Sequence, residues 1–342
     1  MSFEYVQQIP RVEDILDQQP MSPALKRLKA SRDAALSSVL TGQSDRFLVI
    51  IGPCSADRED AICDYVGRLA KLQERVQERL VLVPRIYTNK PRTTGTGYKG
   101  MAHRPVPGEL PNIVEGLKAL RQLHLRALAE SHLTAADEML YPENYPYVAD
   151  FLSYVAIGAR SVENQQHRLT VSGFDVPAGM KNPTSGDIEV MLNSIQAAQS
   201  GHVFAYNGWE VATHGNPLAH GILRGAVNHY GVAIPNYHYE DLVRTAEAYR
   251  KRQLVNPAVI VDTNHANSNK SFAEQPRIAL EVMQSRRHSS LVRKLVRGLL
   301  IESYLVEGAQ DERSEVYGKS ITDPCLGWEA SERLVLELAE LA

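Results

Sequence analysis

Two sets of reactive side chains punctuate this chain. The first offers metal donors: Cys54 follows FLVIIGP, His265 follows AVIVDTN, Glu302 follows VRGLLI, and Asp323 stands in GKSITDPC. A thiol, an imidazole and two carboxylates form a mixed S, N and O set that suits a divalent transition metal such as Mn, Fe, Co or Zn. Taken singly, Cys54 reads as an inert buried thiol and His265 as an ordinary polar histidine. Glu302 is harder to explain so simply, because a carboxylate ending an apolar strand needs a partner. The second set is cationic: Arg85 after LVLVP, Arg160 after YVAIGA and Lys181 after VPAGM. RIYTNKPRTT (85–94) adds Lys90 and Arg92, with Thr93 and Thr94 as hydroxyl donors. Arg offers planar, bidentate recognition of phosphate or carboxylate, and Lys a compact charge. A lone charge run is usually a solvated loop. Here Arg160, Lys181 and Arg224 stand close to Gly or Ala, where backbone can approach a ligand.

The elements that must position these residues are apolar runs separated by helical segments. Strands are expected at 46–52, 79–87, 133–140, 154–160, 176–182, 202–208, 258–265 and 297–305. Helices are expected over REDAICDYVGRLAKLQERV, GLKALRQLHLRALAESH, GDIEVMLNSIQAAQSG and LVRTAEAYRKRQ. Such alternation predicts βαβ units and a parallel sheet. Eight units favour an α/β fold of the (β/α)8 TIM barrel kind, which gathers its strand C-termini at one mouth. Residues 1–45 are read as an N-terminal extension and 46–342 as the catalytic barrel. The extension carries a helix over SPALKRLKASRDAALSSVLTG, with Ser22 as N-cap, Pro23 at N1 and Gly42 as C-cap. It packs on the barrel floor or on a neighbouring subunit. The stretch 209–257 is long for one crossover, so WEVATHGNPLAHGILRG is read as a small hairpin insertion after the sixth strand. The sixth strand's own end, Asn207-Gly208, is uninformative, and its contribution comes through Arg224 in that insertion.

Composition narrows the function class. The chain has 342 residues, 44% hydrophobic and 23% charged, an ordinary balance for a soluble enzyme. A net charge of −3 gives no nucleic-acid footprint. No run approaches the roughly 20 apolar residues of a membrane span. The N-terminus lacks the basic and apolar regions of a signal peptide. Three cysteines without CxxC spacing point to a reducing compartment, so a cytoplasmic location is expected. Cys63 belongs to the first barrel helix as a core residue. Oxidation could join Cys325, two residues beyond Asp323, to Cys54. Gly95-Thr-Gly97-Tyr-Lys-Gly100 matches G-x-G-x-x-G, but it neither follows a strand directly nor opens a helix, so nicotinamide binding is rejected. His214 and His220 are read as loop or hairpin residues, and Trp209 and Trp328 as packing residues. Glu138, ending the third strand, is read either as a structural ion-pair partner or, in preference, as a group that positions water beside a cationic pocket.

The ordered motifs IIGPCS (50–55), KPRTT (90–94), GYKG (97–100), AIGARSVENQQHR (156–168), GMKNPTSG (179–186), HGILRG (220–225), DTNHANSNK (262–270), IESYLVEG (301–308) and YGKSITDPCLGWE (317–329) resemble the type I 3-deoxy-D-arabino-heptulosonate 7-phosphate (DAHP) synthases. The resemblance runs from about residue 46 to the end. It implies a metal-dependent transferase of the shikimate pathway that condenses phosphoenolpyruvate with erythrose 4-phosphate and water, releasing phosphate. By motif, Cys54, His265, Glu302 and Asp323 would ligate one divalent metal, Mn2+ ahead of Fe2+, Co2+ or Zn2+. Arg85, Lys90, Gly158, Ala159, Arg160, Lys181 and Arg224 would hold phosphoenolpyruvate, and Pro91, Arg92 and Thr93 would receive erythrose 4-phosphate. Lys90, Lys181, Glu138 and His265 would form the catalytic set. A homo-oligomer, dimer or tetramer, and an aromatic amino acid effector are family-level expectations.

Two segments depart from the family pattern. TTGTGYKG is one residue longer than the commoner TTVGWKG, with Tyr98 in place of Trp, and DEMLYPENYPYVADF differs where an effector would contact. The rival readings are a 3-deoxy-D-manno-octulosonate 8-phosphate synthase, against which KPRTT argues, and a noncatalytic sugar-phosphate sensor, which has no need of both residue sets.

Overall fold

The computed structural model describes residues 2–314 and 316–342. Eight parallel strands carry the fold: β1 (Phe47–Gly52), β2 (Leu80–Pro84), β3 (Ala135–Glu138), β4 (Leu152–Ile157), β5 (Ala178–Lys181), β6 (Ala219–Leu223), β7 (Val259–Asp262) and β8 (Val296–Glu302). Pairing runs β2-β1-β8-β7-β6-β5-β4-β3. A single parallel bridge, Arg85 to Ala136, brings β2 beside β3 and rounds the sheet into a barrel. All six residues of β1 are buried, as expected of a strand covered on both faces.

The two faces of each strand enter separate cores. Phe47, Val49 and Ile51, with their counterparts on the other strands, pack outward against the surrounding helices. Leu48 and Ile50 point inward with Val81, Val83, Tyr154, Ile222, Ile260 and Leu300. The helices are α1 (Val12–Gln18), α2 (Pro23–Leu40), α3 (Glu59–Val76), α4 (Ile113–Ser131), α5 (Gln165–Val171), α6 (Ile188–Ala198), α7 (Tyr239–Arg252), α8 (Gln275–His288), α9 (Ser290–Leu295) and α10 (Trp328–Leu341). Amphipathic α3, for example, buries Ile62, Tyr65, Val66, Leu69 and Val76. Ser22 caps α2 by accepting from Leu25 N, with Pro23 at N1. Leu36, Val39 and Leu40 of α2 join the inward-facing cluster, so this helix plugs the barrel floor. No described helix is long and apolar enough to cross a membrane.

One strand assignment changes. Residues 202–208 do not form the sixth barrel strand. Val203–Tyr206 pairs antiparallel with Trp209–Ala212 in a separate two-stranded ribbon, and the barrel strand is Ala219–Leu223. Asn207 and Gly208 both have positive φ, 48° and 80°. They form the two-residue Asn-Gly connection that favours a hairpin. Val203 and Trp209 are exposed, at 69% and 75%, so Trp209 does not pack as expected. Trp328 does, edge-on to Tyr65 with ring centroids 5.5 Å apart. WEVATHGNPLAHGILRG is not the hairpin insertion: it supplies half of the 203–212 ribbon and the barrel strand itself, and a short ribbon pairing Ala226–Val227 with Ala233–Ile234 follows that strand. The Gly95–Gly100 segment contains neither strand nor helix.

His220 is likewise not a loop residue. It lies in β6 and is 1% exposed. Its Nδ1 lies 2.8 Å from the Leu218 carbonyl, and its Nε2 lies 2.8 Å from the Tyr154 hydroxyl. The carbonyl can only accept, which makes Nδ1 the protonated nitrogen. Burial pushes its pKa down to about 4, below the roughly 6.5 of the unfolded chain. The unfolded state therefore binds the proton first as pH falls. The associated stability is complete above about pH 6.5 and is lost on acidification towards pH 4. Between pH 7 and pH 5, wild type should lose about 2 kcal/mol more than His220→Gln. Urea unfolding of both proteins at the two pH values measures this difference.

Candidate active site

Each barrel strand delivers a polar residue to the mouth. Glu138, Lys181, Asp262 and Glu302 are the last residues of β3, β5, β7 and β8, while Arg85 and Arg224 directly follow β2 and β6. Gly158-Ala159-Arg160 leaves β4, and Cys54 lies two residues past β1. Gly225 has φ +75°, and a Cβ there would meet the Ala266 carbonyl carbon at 2.7 Å. This position requires glycine for the turn that follows Arg224. Every sequence-predicted site residue except Glu302 lines one cavity of about 310 Å³. Glu302 sits beneath it, fully buried. Among the described residues, fourteen buried side-chain N or O atoms have no protein hydrogen-bond partner, and eight of them belong to Arg85, Tyr87, Asn89, Glu138, Arg224, Asp262, His265 and Glu302. Buried polar atoms are normally paired, so this concentration marks a place built for ligands.

Ligand atoms of Cys54, Glu302 and Asp323 lie within 4.8 Å of one another. The His265 ring is outside that trio, although it lines the same cavity. β7 ends at Asp262, short of the expected 265, so His265 stands in the following turn with φ +52°. Its Nδ1 lies 2.8 Å from Asp262 Oδ2, although the two atoms are not aligned as a hydrogen bond. With Nδ1 facing a carboxylate, Nε2 is the nitrogen left for a metal, an arrangement typical of metal-bound histidines. Burial pushes its pKa down, against the pull of Asp262.

The two carboxylates of this trio repel one another unless a cation sits between them. Lys90 Nζ is 2.6 Å from Cys54 Sγ and 3.0 Å from Asp323 Oδ2. Burial, reinforced by Glu302, pushes the Cys54 thiol upward, so it stays protonated and lies 3.4 Å from Asp323 Oδ2. Burial works against ionised Asp323, but Lys90 and Lys270 outweigh it and hold the carboxyl well below the usual range. Glu302 Oε1 lies 3.0 Å from Arg85 Nη2 without a hydrogen bond. A thiol, two carboxylates and one free carboxylate oxygen, with an imidazole beside them, fit a borderline divalent cation. All three cysteines are free, and Cys325 Sγ lies 3.5 Å from the Asp323 carbonyl.

Further cations line the same cavity. Lys181, 3% exposed, lies 3.4 Å from Asp262 Oδ2. Burial opposes ionised Asp262, yet His265 and Lys181 together hold its carboxyl well below the usual range. Arg224 is 8% exposed, and its Nη1 has no protein partner. Burial, with Arg160 nearby, lowers its pKa, the signature of a cation short of counter-charge. The Arg85 guanidinium stacks 3.7 Å from the Tyr87 ring centroid and also donates to the Pro53 carbonyl. Arg92 Nε donates to the Tyr98 carbonyl at 2.9 Å, so the loop after β2 folds back on itself.

Five lining residues carried no role in the sequence reading: Lys270, Tyr87, Asn89, Thr96 and Thr184. Lys270 Nζ lies 3.1 Å from Asp323 Oδ1. It occupies an irregular turn with φ +60°, where no periodicity could point to it. Tyr87 and Asn89 alternate with Arg85 along the run leaving β2, and that two-residue period was the available signal.

Comparison with known proteins places this mouth in a family. The model of the DAHP synthetase I family matches residues 22–336. The Phe-sensitive phospho-2-dehydro-3-deoxyheptonate aldolase of Escherichia coli K12 is 38% identical over 347 residues, covering 96% of this chain and 95% of the relative. The Trp-sensitive enzyme of Enterobacter agglomerans is 37% identical over 329 residues, covering 94% and 91%. A solved phospho-2-dehydro-3-deoxyheptonate aldolase from Francisella tularensis SCHU S4 superposes with a TM-score of 0.92 at 29% identity, covering 100% of this chain and 98% of that one. With nearly the full length matched and the barrel shared, the chain belongs to the DAHP synthetase I family.

Proposed function

We propose that the barrel mouth carries out the family's reaction with the residues in the following roles. The condensation joins phosphoenolpyruvate to erythrose 4-phosphate and is the first step of the shikimate pathway. One observation carries the assignment of roles: a metal-type donor set and a group of cations meet at a single cavity. Arg160, Lys181 and Arg224, beside the Gly158-Ala159 backbone, bind the phosphate of phosphoenolpyruvate, and Arg85 and Lys90 its carboxylate. Pro91, Arg92 and Thr93 receive erythrose 4-phosphate, with Arg92 and Thr93 on its phosphate. The cations offset the repulsion between two phosphorylated anions and fix the reacting atoms in contact.

A divalent metal, Mn2+ by first expectation, would be held by Cys54, His265, Glu302 and Asp323 and would supply Lewis acidity at the aldehyde oxygen. Burial works against the Lys90 ammonium, but Asp323 and Glu302 outweigh it, so Lys90 donates to that oxygen as charge develops. C3 of phosphoenolpyruvate bonds to the aldehyde carbon, and water adds to C2. Glu138 takes the water's proton, and phosphate leaves from C2. His265 holds Asp262, which in turn faces Lys181.

The test mixes the protein, Mn2+ and both substrates and follows phosphate release. Erythrose 4-phosphate is expected to support turnover far better than arabinose 5-phosphate; preference for the pentose, or no phosphate release, rejects the reading. Two relatives of nearly equal identity carry different sensitivities in their names. An aromatic amino acid is therefore proposed as effector, with Phe, Trp and Tyr each added to the same assay. A homo-oligomer is proposed on the exposed apolar residues of the N-terminal arm, Phe3, Tyr5 and Val6, and of the 203–212 ribbon.

A further inference from the structure

Once the metal and phosphate roles are assigned, three orphaned atoms remain: Tyr87 OH, Asn89 Oδ1 and Glu138 Oε1. Their residues line the same cavity and are 1%, 6% and 6% exposed. The backbone explains the grouping. Past Pro84, residues 85, 87 and 89 line the cavity, whereas Ile86 enters the outer core and Thr88 donates to Asp137. Glu138 ends β3, the strand that this run meets at the Arg85–Ala136 bridge. Gly158, on the next strand, leaves Glu138 Oε1 free, since a Cβ there would lie 2.6 Å from it.

The three atoms have complementary chemistry. Glu138 Oε1 and Asn89 Oδ1 accept, and the Asn89 amide is oriented by its Nδ2 donating to Thr88 Oγ1 at 3.3 Å. Tyr87 OH donates, because burial pushes its phenol far above the usual range and keeps it protonated. A water molecule has two protons and two lone pairs, and buried waters typically make about three hydrogen bonds to otherwise unpaired groups. Two protons given to Glu138 and Asn89, and one lone pair filled by Tyr87, leave one lone pair for bond formation. A second cavity of about 20 Å³ also has Asn89 and Glu138 in its wall, roughly the room that one water requires.

We propose that Tyr87 and Asn89 are positioning residues which, with Glu138, hold the water that attacks C2 of phosphoenolpyruvate. This deepens the proposed function and rests on it. After C3 has bonded to the aldehyde carbon, C2 is electron-poor. The free lone pair forms the C2–O bond as one O–H bond breaks, its proton passing to Glu138. In the resulting phosphohemiketal, the remaining hydroxyl proton passes to the bridging oxygen, the C2–O bond to phosphate breaks, and the C2 carbonyl forms. No oxidant or further reactant is needed.

The experiment compares wild type with Tyr87→Phe, Asn89→Leu and Asn89→Asp, all loaded with Mn2+. Tyr87→Phe is expected to lower kcat about tenfold, and Asn89→Leu about ten- to a hundredfold. Asn89→Asp keeps an acceptor oxygen and should stay within about threefold of wild type. The KM for each substrate, and the Kd of phosphoenolpyruvate measured alone, should be unchanged. In the two impaired variants the solvent deuterium isotope effect on kcat should rise as water addition becomes slower. Unchanged kcat in both, or a fall in kcat matched by weaker phosphoenolpyruvate binding, overturns the proposal. Thermal melts identify any variant that fails to fold, and Asn89→Asp then decides between a positioning and a structural role. An inactive wild type rejects the function itself, whereas an active wild type with indifferent variants rejects only the water site.

Discussion

Replacing Cys54 with alanine is expected to lower kcat/KM by about a thousandfold, a barrier increase of about 4 kcal/mol, with the fold retained. Cys54 is fully buried, and alanine keeps its Cβ, so packing loses only a sulfur atom. What remains is Glu302 and Asp323 without the soft donor that completes their trio. With the His265 imidazole, they offer a borderline transition metal one donor fewer and a harder set than the thiol completes. The bound Mn2+, Fe2+, Co2+ or Zn2+ content of the purified variant should therefore fall together with the rate. Near-normal activity, or full metal occupancy under controlled metal supply, removes Cys54 from the ligand set. Chelation of wild type should reproduce the loss and readdition of Mn2+ should reverse it, which separates a missing ligand from a damaged barrel.

Lys181→Met is expected to lower kcat/KM for phosphoenolpyruvate by about a hundred- to a thousandfold. Hydrogen bonds to charged groups contribute about 1.5–3 kcal/mol each, and Lys181 has three donors on a buried stem. Methionine preserves much of the apolar volume, so the variant reports on charge. The erythrose 4-phosphate KM should change far less. Asp262 then loses the ammonium 3.4 Å away and is left with His265. Removing one partner of a buried pair costs about 3–5 kcal/mol, so a lower Tm should accompany the kinetic loss. Direct phosphoenolpyruvate binding to folded protein decides the point, and unchanged affinity would falsify the contact.

The barrel was legible because parallel strands buried on both faces read as continuous apolar runs, and seven of the eight runs overlap barrel strands. The eighth was misread for a local reason. VFAY is apolar and short like its neighbours, and only Asn207-Gly208 betrays it as half of a ribbon. The true strand, AHGIL, carries a histidine and a glycine. Its inward face places His220 against Tyr154 beside Ile222, so hydropathy could not find it. The candidate site was legible as residue types at strand ends. Lys270 was not, because it is delivered by a turn with left-handed backbone, and neither were the unpartnered atoms of Tyr87 and Asn89. Satisfaction of hydrogen bonds is a property of three dimensions and leaves no trace in spacing.

The joint between β2 and β3 sets the barrel's mechanics. Every other neighbouring pair shares a ladder of at least three residue pairs, whereas this joint has one bridge, at Arg85. A hoop gapes where the fewest bonds must break, and here that is the joint whose connecting chain carries Lys90, Arg92 and Thr93. Local opening is expected first at this seam, where Thr88 donating to Asp137 supplies the remaining tie. A bound anion that engages Arg85 and Gly158–Arg160 spans the seam from β2 across β3 to β4. An anion bound as proposed would therefore tie the hoop shut beside the loop that carries Lys90, Arg92 and Thr93.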